Sequence, residues 1–164
     1  EYLDLISKKT CSLLEAAFHL GGLYAGTPEI IPDLKTFGRH LGYVYQIRDD
    51  WLGIWGEPSK SGKSASTDLY EKKKSYPVVY TLREASPDRK ELLQEIYRLP
   101  APLGPEEVEK VRSVLSAEGA REGTQKAAER HWDIAQDKLS TLPFSAEGKE
   151  TMNRFGSFLL NREK

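Results

Sequence analysis

Two adjacent carboxylates, Asp49 and Asp50, stand in the run Gln46-Ile47-Arg48-Asp49-Asp50-Trp51-Leu52-Gly53-Ile54-Trp55-Gly56. On a helix, steps of three and four return to one side, so Gln46, Asp49, Asp50 and Gly53 share a broad face. Paired carboxylates beside apolar residues are costly unless a cation neutralises them. Carboxylate oxygen is the donor that a hard cation such as Mg²⁺ takes. The pair alone is a weak signal, because a solvated face with Arg48 as its charge partner accounts for it equally well. The stretch that follows adds weight. Lys60, Lys63, Lys72, Lys73 and Lys74 stand against only Asp68 and Glu71, with Gly62-Lys63 in Ser-rich surroundings. An acidic face followed closely by a basic loop is the charge pattern of a metal-bridged phosphate site: the cation sits between carboxylates and phosphate oxygens, and lysines take the oxygens left over. Gly62-Lys63-Ser64 is not a phosphate-binding P-loop. That motif needs a glycine where Glu57 stands, and a strand before the loop.

The elements that must position these groups are helices. Leu3, Ile6, Leu13, Leu14, Ala17, Phe18 and Leu20 recur at helical steps and predict one amphipathic helix over 1–25, closed by Gly26-Thr27-Pro28. Leu34, Phe37, Leu41, Val44, Tyr45 and Leu52 predict a long helix over 31–55, with Gly38 and Gly42 on one stripe where another helix can come close. Residues 56–67 have loop chemistry. Asp68 is the expected cap of a third helix, with Glu71 at the capping-box position and Pro77 either kinking it or lying near its start. Ser86-Pro87 opens a short helix, and Pro100 to Pro105 is a turn. Helices over 105–118, 120–141 and 145–161, the last capped by Ser145, complete an all-α bundle with no strand and no repeat.

Composition narrows the function classes. The 164 residues suffice for one ordinary core, and 1–164 reads as part of a single domain. Lys plus Arg number 24 and Asp plus Glu 25, a net charge of −1. That balance argues against a dedicated nucleic-acid binder and against a polybasic membrane anchor. There is no run of about 18 apolar residues to span a membrane and no signal-peptide pattern. The single cysteine, Cys11, excludes an intramolecular disulfide and fits a reducing, cytoplasmic setting. The chain opens at Glu1-Tyr2-Leu3, inside an apolar-periodic pattern and without a methionine, which reads as part of a longer chain.

The order of these residues resembles one family, the trans-type isoprenyl (polyprenyl) diphosphate synthases. That family carries a second Asp-rich motif preceded by an aromatic-Gln pair. A Gly-Lys loop follows, then an Asp with Lys five and Pro nine residues later. Here the order is Tyr45-Gln46, Asp49-Asp50, Gly62-Lys63, Asp68, Lys73 and Pro77. Lys9-Thr10 matches an upstream Lys-Thr pair, and Gly53-Ile54-Trp55-Gly56 is similar to bacterial members. The resemblance covers residues 1 to about 85 and implies a helical bundle of the isoprenoid synthase type, its N-terminal helices lying outside this chain. It implies Mg²⁺-dependent condensation of an allylic diphosphate with isopentenyl diphosphate to a longer (E)-polyprenyl diphosphate. Asp49 would be the metal ligand and Asp50 an additional ligand or acceptor. Lys9, Lys63 and Lys73 would bind the leaving diphosphate. Thr10 would line the cavity, and Gln46 would face the developing cation. A homodimer and a missing N-terminal half of the same domain are the implied partners.

Two departures leave alternatives open. The family's third aspartate, four residues after Asp49, is Gly53 here, and no other Asp-Asp pair exists to serve as the first Asp-rich motif. The expectation is a prenyltransferase inactive as this fragment alone. The alternatives are a terpene cyclase-like enzyme on the same fold, or a non-catalytic homologue resembling a regulatory subunit. His19, His40 and His131 form no two-His helical pair, which argues against zinc. Cys11 and Trp132 read as packing residues. Trp51 and Trp55 read as core, or as part of an aromatic wall facing a prenyl cation.

Overall fold

The computed structural model describes residues 1–56 and 66–163. Among the described residues every regular element is a helix and there is no strand. Helix α1, Tyr2–Ile6, passes through a π-helical turn, Ser7–Cys11, into α2, Ser12–Tyr24. The helix expected over 1–25 is therefore continuous but carries one wide turn, which apolar periodicity alone did not show. Gly26, at φ 69°, closes it in the left-handed conformation that glycine adopts without strain. A 3-10 turn, Pro28–Ile30, leads into α3, Ile31–Trp55, which matches the expected bounds.

The third expected helix is divided. Helix α4 is only Thr67–Tyr70, and α5 begins at Tyr76 and runs to Glu84. Asp68 lies inside α4 rather than capping it; Ser66 holds the cap position at φ 66°, and Lys72 at φ 54° turns the chain out of the helix. The cause is Pro77. A helix running through from Asp68 would drive its ring against the Lys73 carbonyl. That carbonyl instead accepts the Tyr97 hydroxyl at 3.4 Å, and Pro77 sits in the first turn of α5, where a missing N–H is harmless. The remaining helices follow the sequence pattern closely: α6, Pro87–Arg98; α7, Pro105–Ala117; α8, Ala120–Thr141; and α9, Ala146–Asn161. Ser145 caps α9 as expected, its hydroxyl accepting the Gly148 N–H at 3.1 Å.

Two compact units divide the chain. The first combines Glu1–Arg48 with Ala127–Arg162. It buries Phe37, Leu41, Val44 and Ile47 from α3, together with Trp132, Ala135 and Leu139 from α8. Trp132 packs against Gly156 of α9, where a side chain would collide with its ring. The second is built on Asp49–Lys126. Its core joins Ile54, Leu69, Val78, Leu93, Val111 and Leu115, one or more from each of α3 to α7.

Candidate functional site

In the first unit, Lys9 and Thr10 sit in the π turn. Such turns displace the following side chains from α-helical register, and they often occur at functional sites. The turn is held by close approach to α3. A Cβ on Gly42 would lie 2.6 Å from the Cys11 Cα, and one on Gly38 would lie 2.8 Å from the Leu14 carbonyl oxygen. At this separation the Thr10 hydroxyl donates to Gln46 Oε1 at 2.7 Å, which fixes the Gln46 amide. Lys9 is exposed. Cys11 is fully buried, and burial pushes its thiol up to about 11, so it stays protonated and packs, as its sequence context indicates.

The second unit holds the two aspartates, and they differ. Asp49 is partly exposed, whereas Asp50 is 1% exposed. Asp50 Oδ2 accepts the Tyr76 N–H at 2.8 Å, and Oδ1 lies 3.1 Å from Lys73 Nζ. Lys73 also lies 2.8 Å from Asp68 Oδ2. Burial alone lowers the Lys73 pKa, but Asp50 and Asp68 outweigh it and hold the ammonium well above the ordinary lysine range, so it remains charged. Gly53 completes the group: a Cβ there would lie 2.6 Å from Asp68 Oδ2. The Asp68 carboxylate thus occupies the space into which a side chain at 53 would grow. Sequence showed Asp68 as a cap and as a member of the resembled motif, but nothing in it reveals that the residue folds back on α3.

The other basic residues separate. Lys72 donates to the Leu99 carbonyl, and Lys74 is exposed. Gly62 and Lys63 lie outside the described residues. Trp51 and Trp55 have ring centroids 5.7 Å apart; Arg121 lies 5.2 Å over Trp51, and Trp55 packs on the core. Arg48 donates to the Arg162 carbonyl at 3.1 Å. One pairing was invisible in sequence: His40 and His131, 91 residues apart, face each other with Nδ1 atoms 3.1 Å apart. Among the described residues no group of three or more His, Cys, Asp or Glu is arranged to hold a metal ion. The donors on α3 are nonetheless hard oxygens of the kind Mg²⁺ takes. They fit one side of such a site. No helix among the described residues is long and apolar enough to cross a membrane.

Known proteins share this arrangement of helices. The profile of the polyprenyl synthetase family matches residues 1–116. A geranylfarnesyl diphosphate synthase from Aeropyrum pernix is 32% identical over 167 residues, covering 100% of this chain and 51% of its own length. A polyprenyl synthetase structure from Streptomyces coelicolor superposes with a TM-score of 0.88 at 29% identity, covering 96% of this chain and 48% of that one. A geranylgeranyl pyrophosphate synthase from Corynebacterium glutamicum, solved with calcium and isoprenyl diphosphate, gives 0.82 at 36% identity over 98% and 49%. The chain spans about half the length of the curated relatives it matches. With the match running from the Lys-Thr turn through the Asp pair to the Asp68–Lys73 segment and beyond, this chain belongs to the polyprenyl synthetase family.

Proposed function

We propose that this chain is the C-terminal half of a single prenyl diphosphate synthase domain. Its reaction is the condensation of an allylic diphosphate with isopentenyl diphosphate to a longer (E)-prenyl diphosphate. The observation that carries the reading is the ion pair between buried Asp50 and part-exposed Lys73, directly beside Asp49. A cation fixed by a buried carboxylate is preorganised to meet negative charge that develops on a leaving group, and fixed charge of this kind is what accelerates ionisation. Lys73 and Lys9, with Lys63, take the diphosphate oxygens. Asp49 would be the principal residue to hold Mg²⁺, while Asp50 orients Lys73. Bound Mg²⁺ supplies charge neutralisation of the departing diphosphate. Gln46, its amide held by Thr10, presents a fixed dipole to the allylic carbon as positive charge grows there. The alkene of isopentenyl diphosphate attacks that carbon, and a proton is lost from the adduct.

The other side of the metal site and the walls that exclude water belong to an upstream half, and the working protein is a homodimer. The test is incorporation of radiolabelled isopentenyl diphosphate with geranyl or farnesyl diphosphate and Mg²⁺. The full gene product should form a longer prenyl diphosphate. Residues 1–164 alone should form none until the upstream half is supplied, covalently or as a separate chain. Robust synthesis by the 164-residue chain alone would show the active site to be misplaced. Hydrocarbon products would point to a cyclase, and stimulation of another synthase without turnover would point to a regulatory subunit.

A further inference from the structure

We infer that Tyr97 is a positioning residue for Lys73, the ammonium that the reading above assigns to the leaving diphosphate. The inference rests on that reading and adds a residue from outside its motifs. Lys73 does not sit in a helix. It follows Lys72, whose φ of 54° turns the chain out of α4, and a lysine in such a turn has a long side chain to hold still. Its N–H donates to the Asp68 carbonyl at 2.9 Å while the Lys72 N–H donates to the Leu69 carbonyl at 3.0 Å, the paired bonds of a Schellman closure. Its ammonium lies 2.8 Å from Asp68 Oδ2 and 3.1 Å from Asp50 Oδ1. The carbonyl is the group left over. A continuing helix would offer it the N–H of residue 77, and Pro77 has none. The Tyr97 hydroxyl fills that gap at 3.4 Å. The contact is long for an O–H donor, but it does not stand alone. The Leu103 N–H donates to the Tyr70 carbonyl at 2.9 Å, and the Lys72 ammonium donates to the Leu99 carbonyl. The end of α6 and the connection behind it thus grip the Tyr70–Lys73 turn at three points. α6 is a firm support, since Leu93 and Ile96 are buried in the second core and Tyr97 packs against it. Burial, and after it the charge of Asp68, push the Tyr97 pKa above the ordinary phenol range, so the hydroxyl keeps its proton and remains a donor.

The test uses the full gene product. Tyr97→Phe keeps the ring against the core and removes the hydroxyl. The readouts are the thermal midpoint and the Kd for inorganic diphosphate with Mg²⁺, measured by isothermal titration calorimetry. Tyr97→Phe should raise that Kd about threefold to tenfold, the range of one net hydrogen bond. Leu93→Val, a core change in the same helix, serves as the stability match: it should lower the midpoint and leave the Kd in place. Lys73→Gln removes the ammonium and should weaken diphosphate binding more than Tyr97→Phe does. In the Lys73→Gln background Tyr97→Phe should have no further effect, because the hydroxyl then has no charge to place. A parental Kd in Tyr97→Phe overturns the inference. So does an equal loss of affinity in Leu93→Val, or a Tyr97→Phe loss that is the same with and without Lys73, either of which marks general loosening of the unit. If Lys73→Gln weakens binding and Tyr97→Phe does not, only the role of Tyr97 falls. If Lys73→Gln binds diphosphate as the parent does, the assignment of Lys73 to the diphosphate falls, and the positioning role with it.

Discussion

Asp49 and Asp50 are chemically identical neighbours with different environments, and mutation should separate them. Asp49 is partly exposed, so Asp49→Ala in the full gene product should cost less stability than Asp50→Ala. Turnover should fall by about 10²–10³, the usual cost of one lost electrostatic contact in the transition state. Unchanged activity would remove Asp49 from the site. Asp50 is 1% exposed and accepts the Tyr76 N–H, so Asp50→Ala should cost about 1–3 kcal/mol by orphaning that donor and one partner of Lys73. Thermal unfolding of the two variants side by side reads the difference. His40 and His131 give a pH signature of their own. Burial and then Arg39 hold His40 below its ordinary value, and burial, His40 and Arg130 hold His131 at about 4. The Tyr43 ring lies tilted by 34° beside His131 with centroids 4.6 Å apart, and Arg39 is itself tied to Glu15 at 2.9 Å. As pH falls below 6.5 the unfolded chain takes up a proton at His131 that the folded chain resists until about 4. Stability is lost across that window as pH falls. The thermal midpoint of a His131→Asn variant should therefore drop less between pH 7 and pH 5 than that of the parent. Parallel curves would show that the pair does not control the loss.

At the level of elements, the approach of the first helical segment to α3 is set by glycines together with the edge-to-face pair Phe18–Phe37, ring centroids 5.0 Å apart. Gly42→Ala would place a methyl 2.6 Å from backbone and 2.8 Å from the side chain of Cys11. The expected cost is about 1–3 kcal/mol of overpacking, accompanied by loss of turnover, because the displaced turn carries the Thr10 hydroxyl away from Gln46. A Gly42→Ala protein with parental midpoint and turnover would contradict the tight contact. Sequence periodicity revealed α3 and the three last helices well, because each has a long apolar stripe and a capping or proline signal. It missed the π turn, whose residues look like ordinary helix, and it missed the break after Tyr70. The proline was visible there, but the left-handed backbone at Ser66 and Lys72 carried no glycine or asparagine to announce it. The chemistry-bearing residues were legible because they are contiguous motifs. The back-folding of Asp68 on Gly53 and the meeting of His40 with His131 were not, since both depend on tertiary approach between separate helices.

For the whole molecule, the N-terminal helices leave an apolar face open. Leu13, Leu20 and Tyr24, on one side of α2, are 76%, 64% and 97% exposed. Under the reading proposed above, the upstream half covers them. Residues 1–164 in isolation should self-associate through this face, as large exposed apolar patches do. Leu13→Glu with Leu20→Glu should return the isolated chain to a monomer by light scattering and also block complementation by a separately supplied upstream half. A monomeric parent chain at micromolar concentration would show the face to be harmless.

The π turn at Ser7–Cys11 has a consequence for how the gene tolerates length changes. A π turn contains one residue more than the α-helical turn it replaces. Deleting one residue there would let the segment relax into regular helix without breaking it. Because the wide turn already absorbs the rotation of its extra residue, the side chains of Tyr2–Ile6 would keep nearly the same bearing around the axis relative to α2. Ile6 would stay on the buried side. A single-codon deletion in this segment should therefore spare α1 and fall on the Lys9-Thr10 turn alone.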